Sequence, residues 1–297
     1  PVLGALITLM NRINSDLAAI VGTYASSLVI HVAGLAAVSL ALLVRPEPRP
    51  TRRLPPYRYS GGLVGVATVF LCNAVYGALD ASLAVALALL GQMLGSILID
   101  ATGFLGRTKY PFRARNLPGL ALACAGAALL AGGGRAAPGY IILAVTAGAL
   151  PLLSITLNAK LALDIGLFRG VRANYLVGFA ATLLLAPLFG RAGLSGLSAA
   201  VGASPLLLLG GGLLGVSLVA GTNLVFPRLP TLHASILMFA GQILSGLAID
   251  LAAGSPISAR TPLGLLAVLA GLSLDAGLKE KAKPEPAAAH RKGTGRA

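Results

Sequence analysis

The amino-acid sequence predicts an all-α polytopic membrane protein with ten transmembrane helices, arranged as two inverted five-helix repeats. Three observations predict this fold class: an apolar composition, ten apolar runs, and an internal repeat. Hydrophobic residues make up 56% of the 297 positions and charged residues 11%, at a mean hydropathy of +0.86. A soluble domain has about 25% charged residues. Since one span takes about 20 residues, ten helices leave no room for a sizeable soluble domain.

Each apolar run predicts one helix, because a backbone in contact with lipid has to satisfy its hydrogen bonds within the segment. Charged clusters and Pro/Gly clusters separate the runs. The chain starts at Pro1 inside apolar sequence, so we expect that part of the first helix is missing. The predicted helices cover 1–13, 17–44, 61–78, 82–99, 116–132, 139–161, 165–189, 204–226, 231–252 and 262–277.

The distribution of basic residues predicts the orientation of these helices. With ten helices, both termini lie on one side, together with the connections after the even-numbered helices. That side carries 19 of the 23 Lys and Arg residues, and the opposite side carries Arg12, Arg135, Arg191 and Arg260. Because basic residues concentrate in cytoplasmic loops, we place both termini in the cytoplasm. The net charge of +14 therefore indicates topology, and no nucleic acid is expected as a partner.

The two halves of the chain repeat each other. Residues 61–100 align without a gap to residues 211–250, with 16 identities in 40 positions. Apolar bias explains matched Leu, Val and Gly, but not matched Asn, Gly-Gln and Asp. The matched pairs include Asn73/Asn223, Gly91/Gly241, Gln92/Gln242 and Asp100/Asp250 and, in the flanks, Asn11/Asn158, Gly119/Gly264 and Gly126/Gly271.

Each half contains an odd number of helices, so the second copy crosses the membrane in the opposite sense. This inverted repeat is typical of secondary transporters, whose substrate site lies near the membrane midplane at the repeat interface. The predicted organisation is a first repeat at 1–133, a linker at 134–138, a second repeat at 139–277 and a flexible cytoplasmic tail at 278–297.

Three motifs resemble those of a known family. Gly91 begins Gly-Gln-Met-Leu, Gly241 begins Gly-Gln-Ile-Leu, and Asn174 begins Asn-Tyr-Leu-Val-Gly. Over nearly the whole chain, the sequence resembles the YdcZ-type inner-membrane exporters of bacteria, which belong to the drug/metabolite transporter superfamily. The resemblance implies two fused five-helix copies of a transporter in the bacterial inner membrane. The first half departs from the pattern, because Ile30 and His31 replace the Asn-Tyr pair.

Amide side chains inside the predicted helices form the candidate substrate site. Polar groups in the membrane are costly and usually face the bundle interior or an aqueous cavity. We predict that these amides line a central site around the pseudo-two-fold axis and orient a polar substrate by donating and accepting hydrogen bonds. Alternatively, they bond to neighbouring helices and only stabilise the bundle. The candidates are Gln92, Gln242, Asn73, Asn223, Asn158 and Asn11.

Small residues and titratable residues add two expectations. Gly91-x-x-x-Gly95 and Gly241-x-x-x-Ser245 each put small residues on one helical face, so we expect close helix packing there. No Asp or Glu stands in a mid-helix position, which disfavours proton-coupled export of organic cations. Histidine titrates near neutral pH, and we expect His31 to be a buried neutral side chain that donates to a backbone carbonyl.

These features predict a secondary transporter that moves a small polar metabolite or drug by alternating access. The alternatives are a passive channel, a lipid-translocating protein or a non-transporting membrane scaffold. We expect no enzyme, because the Gly-Leu-Ser-Gly at 193–196 matches the rhomboid protease motif only by chance and no nucleotide or metal motif occurs. No cofactor is expected. The expected partners are membrane lipids and a small-molecule substrate, and one chain with both repeats is compatible with a monomer.

Overall fold

A computed structural model of the protein contains ten helices of 15 to 28 residues, together with a short helical turn at 195–199, in the part of the chain that it describes. The described residues are 1–50, 53–76, 78, 81–104, 109, 113–131, 137–185, 188, 195–229, 231–252 and 260–280. The ten helices are α1 (Val2–Val21), α2 (Thr23–Val44), α3 (Gly61–Tyr76), α4 (Ala81–Thr102), α5 (Leu117–Ala131), α6 (Pro138–Ile165), α7 (Leu167–Leu184), α8 (Pro205–Val225), α9 (Thr231–Ala252) and α10 (Arg260–Glu280).

Three segments are long and apolar enough to cross a membrane. They are Thr23–Val44, Pro138–Ile165 and Pro205–Arg228, with mean hydropathies of 2.3, 2.0 and 1.8. Shorter apolar helical stretches occur in α3, α4 and α10. The chain is therefore helical with apolar segments suited to membrane insertion.

The first two helices meet at Gly22, and not near residues 14–16 as predicted. Arg12 and Asp16, which the prediction placed at the break, lie on α1 and form an exposed ion pair of 3.1 Å between Nε and Oδ2. Opposite charges four residues apart are neighbours on a helix surface, so they do not interrupt it. The break occurs at Gly22 because its φ of +81° suits glycine and few other residues.

The same junction recurs in the second half of the chain. Gly166 joins α6 to α7 with a φ of +103° and a ψ of 155°, close to the φ of 81° and ψ of 158° at Gly22. The two glycines are 144 positions apart. Each half therefore begins with two helices joined by a single left-handed glycine, and the offset of 144 relates α1–α2 to α6–α7.

Equivalent helices of the two halves pack against each other in antiparallel pairs. In α5 and α10, the close contacts are Gly126 with Gly264 and Gly271 with Gly119. The two contacts are equivalent, because the sequence repeat pairs Gly119 with Gly264 and Gly126 with Gly271. A Cβ atom at Gly126 would stand 2.6 Å from the Gly264 carbonyl oxygen, so the backbones approach as closely as glycine allows.

The helices α2 and α7 form a second antiparallel pair. His31 contacts Gly178 and Tyr175 contacts Gly34, and the offset of 144 exchanges these two contacts. Ser27 contacts Thr182 at one end of this crossing. Equivalent helices of the two halves therefore contact each other at α2–α7 as well as at α5–α10.

The remaining helices of each half pack against helices of the other half. Helix α1 packs on α8 and α9, and its counterpart α6 packs on α3 and α4. One apolar core cluster joins α4, α5, α9 and α10, with Met93 and Phe239 fully buried in it. A second joins α1, α4, α6 and α9 around Leu152 and Phe226. Each half thus completes its core with helices of the other half.

The helix bounds refine the predicted organisation of the chain. Helix α6 begins at Pro138, the last residue of the predicted linker, and α10 continues to Glu280, three residues into the predicted tail. The rest of that tail, 281–297, and most of the linker, 134–136, lie outside the described residues.

Candidate substrate site

Gln92 and Gln242 occupy the midpoints of equivalent helices. Gln92 is the twelfth of 22 residues in α4, and Gln242 is the twelfth of 22 in α9. Both side chains are half-buried. Their backbone carbonyls accept hydrogen bonds, from Ser96 Oγ at 2.9 Å and from Thr8 Oγ1 of α1 at 3.2 Å, respectively. Neither side-chain amide bonds to another described residue, so both keep their donors and acceptors available.

The two glutamines lie on the inward faces of their helices. On α4, Ser96 and Ile99 follow Gln92 by one and two turns on the same face and are 0% and 6% exposed. On α9, Met238 precedes Gln242 by one turn and is 4% exposed. Each glutamine thus lies on the inward side of its helix and is only partly covered by its neighbours.

Asn158 belongs to a hydrogen-bonded cluster at the start of α3. Its Nδ2 donates to Asn174 Oδ1 of α7 at 2.8 Å and lies 3.3 Å from Ser154 Oγ. Ser154 Oγ donates to the carbonyl of Gly61 at 2.8 Å. Asn158 also contacts Gly61, where a Cβ atom would overlap its Oδ1. The amide of Asn158 is therefore used in holding α3, α6 and α7 together.

The first half has the same arrangement, with Asn14 in the place of Asn158. Asn14 contacts Gly211 as Asn158 contacts Gly61, and the offset of 144 relates Asn14 to Asn158. The predicted pairing of Asn11 with Asn158 is corrected by this contact, and Asn11 is exposed on α1. Because Ile30 replaces the asparagine partner, the buried Oδ1 of Asn14 has no hydrogen-bond partner among the described residues.

Asn223 lies near a helix end and not at the helix midpoint. It is the third residue from the end of α8 and is 3% exposed. Neither of its amide atoms has a hydrogen-bond partner in the described part of the chain. Phe226, one turn later, packs in the core with α6. The side chain of Asn73, its counterpart, lies outside the described residues. Asn223 therefore lies near the end of α8, one turn before a residue that packs against α6.

The predicted packing residues lie at close helix contacts. Gly91 contacts the backbone of Val145, and Gly95 lies against Ala149, both on α6. In the second half, Gly241 contacts the backbone of Pro1. Ser245 donates to the carbonyl of Gly241 at 2.6 Å, within its own helix. Glycine on α4 and α9 thus lets the helices with the glutamines approach α6 and the start of α1.

The polar residues of the α2–α7 crossing are paired. His31 is half-buried, with Nδ1 at 2.7 Å from the carbonyl oxygen of Ser27. Since a carbonyl only accepts, Nδ1 carries the hydrogen and donates, as the sequence analysis expected. Ser27 Oγ lies 3.1 Å from Thr182 Oγ1, and Thr182 donates to the carbonyl of Gly178 at 2.9 Å. These groups satisfy one another, whereas the two glutamine amides have no partner among the described residues.

Sequence reasoning missed Asn14 and placed Asn174 only in a family motif. The signal that finds Asn14 is the pair of glycines Gly22 and Gly166, which sets the offset of 144 for the first two helices of each half. No group of three or more His, Cys, Asp or Glu side chains that could hold a metal ion occurs among the described residues.

The fold and these polar positions define an all-helical membrane protein with two similar halves. The chain belongs to the family described as "Putative inner membrane exporter, YdcZ", whose sequence profile matches residues 2–129 and 139–274, one match in each half. The predicted resemblance to this family, as two fused copies, is confirmed. Membership assigns the chain to the inner-membrane transporters and not to the enzymes.

Solved structures share the fold. One, described only as "Crystal structure of protein", has a TM-score of 0.63 at 18% sequence identity, and the match covers 93% of this chain and 98% of the other. At this identity the likeness concerns the fold alone. No curated protein matches the chain.

Proposed function

We propose that this protein is a secondary transporter that moves a small polar solute across the bacterial inner membrane by alternating access. Ten transmembrane helices in two inverted halves, with both termini in the cytoplasm, form the transport unit. The observation that supports the proposal most is the pair Gln92 and Gln242. They are equivalent, half-buried and at helix midpoints, and their amides have no partner among the described residues. Midplane polar groups at a repeat interface are where transporters bind substrate.

The glutamines are the substrate-binding residues in this proposal. An amide offers two donors and one acceptor with two lone pairs, so two of them can orient a neutral or zwitterionic solute from opposite halves. Asn223 and its counterpart Asn73 lie on α8 and α3, near the helix ends, and bind or release the solute on its way to the centre. Asn158 is the amide with a structural role, because it is bonded to Asn174.

Alternating access requires one helix bundle to move against another. The antiparallel crossings α2–α7 and α5–α10 connect equivalent helices, so a rocking motion around them exchanges the environments of the two halves. Glycine at the α5–α10 crossing brings the two backbones close together. Because the solute itself carries the free-energy gradient, no buried carboxylate is needed, and none is found at a mid-helix position in the sequence.

The test is solute binding followed by flux. Purified protein is screened for metabolites that raise its unfolding temperature, since a ligand that binds only the folded state stabilises it by mass action. Counterflow of a stabilising solute is then measured in proteoliposomes. We expect saturable flux that Gln92→Ala with Gln242→Ala reduces at least fivefold, about 1 kcal/mol of binding, with the unfolding temperature unchanged.

The control is Ser217→Ala, which removes an exposed hydroxyl bonded within α8 and should leave flux intact. Unchanged counterflow in the double glutamine variant, with a lower unfolding temperature, would assign the glutamines to helix packing and overturn the site. Fast flux that rises linearly with solute concentration would replace the carrier by a channel. Reporter fusions at each terminus test the proposed cytoplasmic orientation.

A further inference from the structure

A cavity of about 270 Å³ opens where α2 ends beside the start of α7. It is separate from the glutamines, which lie on α4 and α9. Its wall on α2 carries Ser39, Leu42 and Leu43, and the opposite wall carries Arg169 and Arg172 of α7. The cavity therefore combines a strongly basic side with an apolar side.

The basic side of the cavity holds an uncompensated positive charge. Arg172 is exposed and has no hydrogen-bond or ion-pair partner among the described residues. Arg169 is half-buried, and its Nη2 and Nε donate to the backbone carbonyl of Glu47 at 2.7 and 3.3 Å. The remaining N–H groups of both guanidinium ions are available to an anion.

The one carboxylate in the cavity wall is already engaged. The two carboxylate oxygens of Glu47 accept from the backbone N–H groups of Phe168 and Arg169, each at 2.9 Å. These are two of the orphan N–H groups in the first turn of α7, so the hydrogen-bonding capacity of Glu47 is used by the helix N-terminus, where an anion is favoured. The cavity retains a net positive charge from two arginines against one carboxylate.

The apolar side of the cavity lies on the outer surface of the helix bundle. Leu43 is 78% exposed and Leu40, on the neighbouring strip of α2, is 62% exposed. Ser39 lies four residues before Leu43, about 6 Å deeper along the helix. Its hydroxyl makes no hydrogen bond with the described residues. From the end of α2 inward, the cavity thus offers leucines that face outward and then a free hydroxyl, with the two arginines on the opposite wall.

We propose that this cavity binds one anionic phospholipid of the cytoplasmic leaflet. The lipid phosphate accepts from Arg172 and from the free N–H groups of Arg169. The Ser39 hydroxyl donates to a lipid oxygen, and an acyl chain runs inward along Leu43 and Leu40 on the outer surface of α2. The orientation rests on the proposed function, in which the α2–α3 connection is cytoplasmic. Basic pockets between transmembrane helices on that side suit anionic headgroups, and exposed leucines at the mouth suit a lipid more than a soluble phosphate ester.

Such a lipid would touch both halves of the chain. Helix α2 belongs to the first half and α7 to the second, and they cross at His31 and Tyr175. A lipid bound between their ends links the two halves at the proposed cytoplasmic side, where the crossing has to rearrange during transport. The binding site would therefore make transport depend on the anionic lipid content of the membrane.

The test compares lipid retention by the full chain in detergent, by native mass spectrometry, with phosphatidylglycerol and phosphatidylcholine as probes. We expect preferential retention of one phosphatidylglycerol. Arg172→Gln should weaken it about fivefold, since one basic side chain near the surface is worth about 1 kcal/mol to an anionic lipid. Leu42→Trp, which fills the cavity and keeps its charge, should weaken it as well. Helix content by circular dichroism is compared for each variant.

The matched control is Arg228→Gln, which removes an exposed arginine that follows α8 and lies outside the cavity. An equal loss in Arg172→Gln and Arg228→Gln would overturn the site in favour of general charge attraction, as would equal retention of both lipids. Displacement of the lipid by inorganic phosphate at equal concentration would overturn the lipid assignment. The readout contains no transport step, so failure of the proposed transport function leaves it unaffected.

Discussion

His31 and Tyr175 occupy equivalent positions in the two halves of the chain, and their rings pack edge to face with centroids 5.9 Å apart. Each ring also contacts a glycine of the opposite helix, Gly178 for His31 and Gly34 for Tyr175. Two different side chains therefore fill the same geometry at equivalent positions of the two halves.

The close crossing of α5 and α10 predicts that a Gly→Ala substitution lowers stability at Gly126, inside the crossing, and does not lower it at Gly139, outside the crossing. Gly126→Ala puts a Cβ atom against the Gly264 backbone, and overpacking of this kind costs about 1–3 kcal/mol. Gly139→Ala on α6 meets no atom within 4 Å and should be neutral or stabilising by up to about 1 kcal/mol. Thermal unfolding in detergent measures both. Equal stability of the two variants would contradict the close crossing.

The unpartnered Asn14 predicts that the missing asparagine can be restored. Ile30→Asn places an amide at the position equivalent to Asn174, where it can donate to Asn14 Oδ1. We expect Ile30→Asn to be less destabilising than Val29→Asn, the same kind of change without a partner, by about 0.6–2 kcal/mol. Measurement is by unfolding in detergent. Adding Asn14→Ala should remove the advantage, and its persistence would rule out the bond.

The hydroxyl pair Ser27 and Thr182 predicts that its two single substitutions differ in their cost to stability and that their effects are coupled. Thr182 uses its hydrogen on the Gly178 carbonyl, so Ser27 donates to Thr182. Thr182→Val removes the acceptor of a buried donor and should cost more than Ser27→Ala. The expected coupling free energy is about 0.6 kcal/mol, the average for interhelical bonds in membranes. Ser217→Ala, an exposed serine bonded within α8, is the control, and a coupling of zero would contradict the pair.

The N-terminal cap on α7 predicts that the loss of Glu47 lowers the stability of the protein more than the loss of a surface ion pair. Glu47→Ala leaves two N–H groups of α7 without acceptors, and losing a helix N-cap costs about 0.5–2 kcal/mol. Asp16→Ala removes the exposed partner of Arg12, a kind of pair that contributes about 0–1 kcal/mol and less in high salt. Unfolding temperatures at low and high salt distinguish them. A Glu47→Ala loss that salt abolishes would indicate charge attraction in place of capping.

The sequence predicted most of the fold, because each of the ten long helices covers most of one predicted apolar run. The ends of the helices were predicted less accurately than their existence. The prediction broke α1 at polar residues that belong to it, since an i,i+4 ion pair and a loop look alike in composition, and it missed the turn at Gly22. The register of the first helices was also ambiguous: Asn11 and Asn14 are three residues apart, nearly one helical turn, so either matches Asn158 in a one-dimensional alignment.

The sequence by itself determined the membrane class, the family, and the mid-helix positions of Gln92 and Gln242, because hydropathy and the internal repeat can be recognised along the chain without knowledge of how the helices pack. Only the tertiary structure decided which amides are satisfied. Asn158 bonds to Asn174 at 2.8 Å, whereas Asn14, its counterpart, faces Ile30. Whether a polar side chain is free for a substrate depends on its neighbours from other helices, and that contact is created when the helices pack.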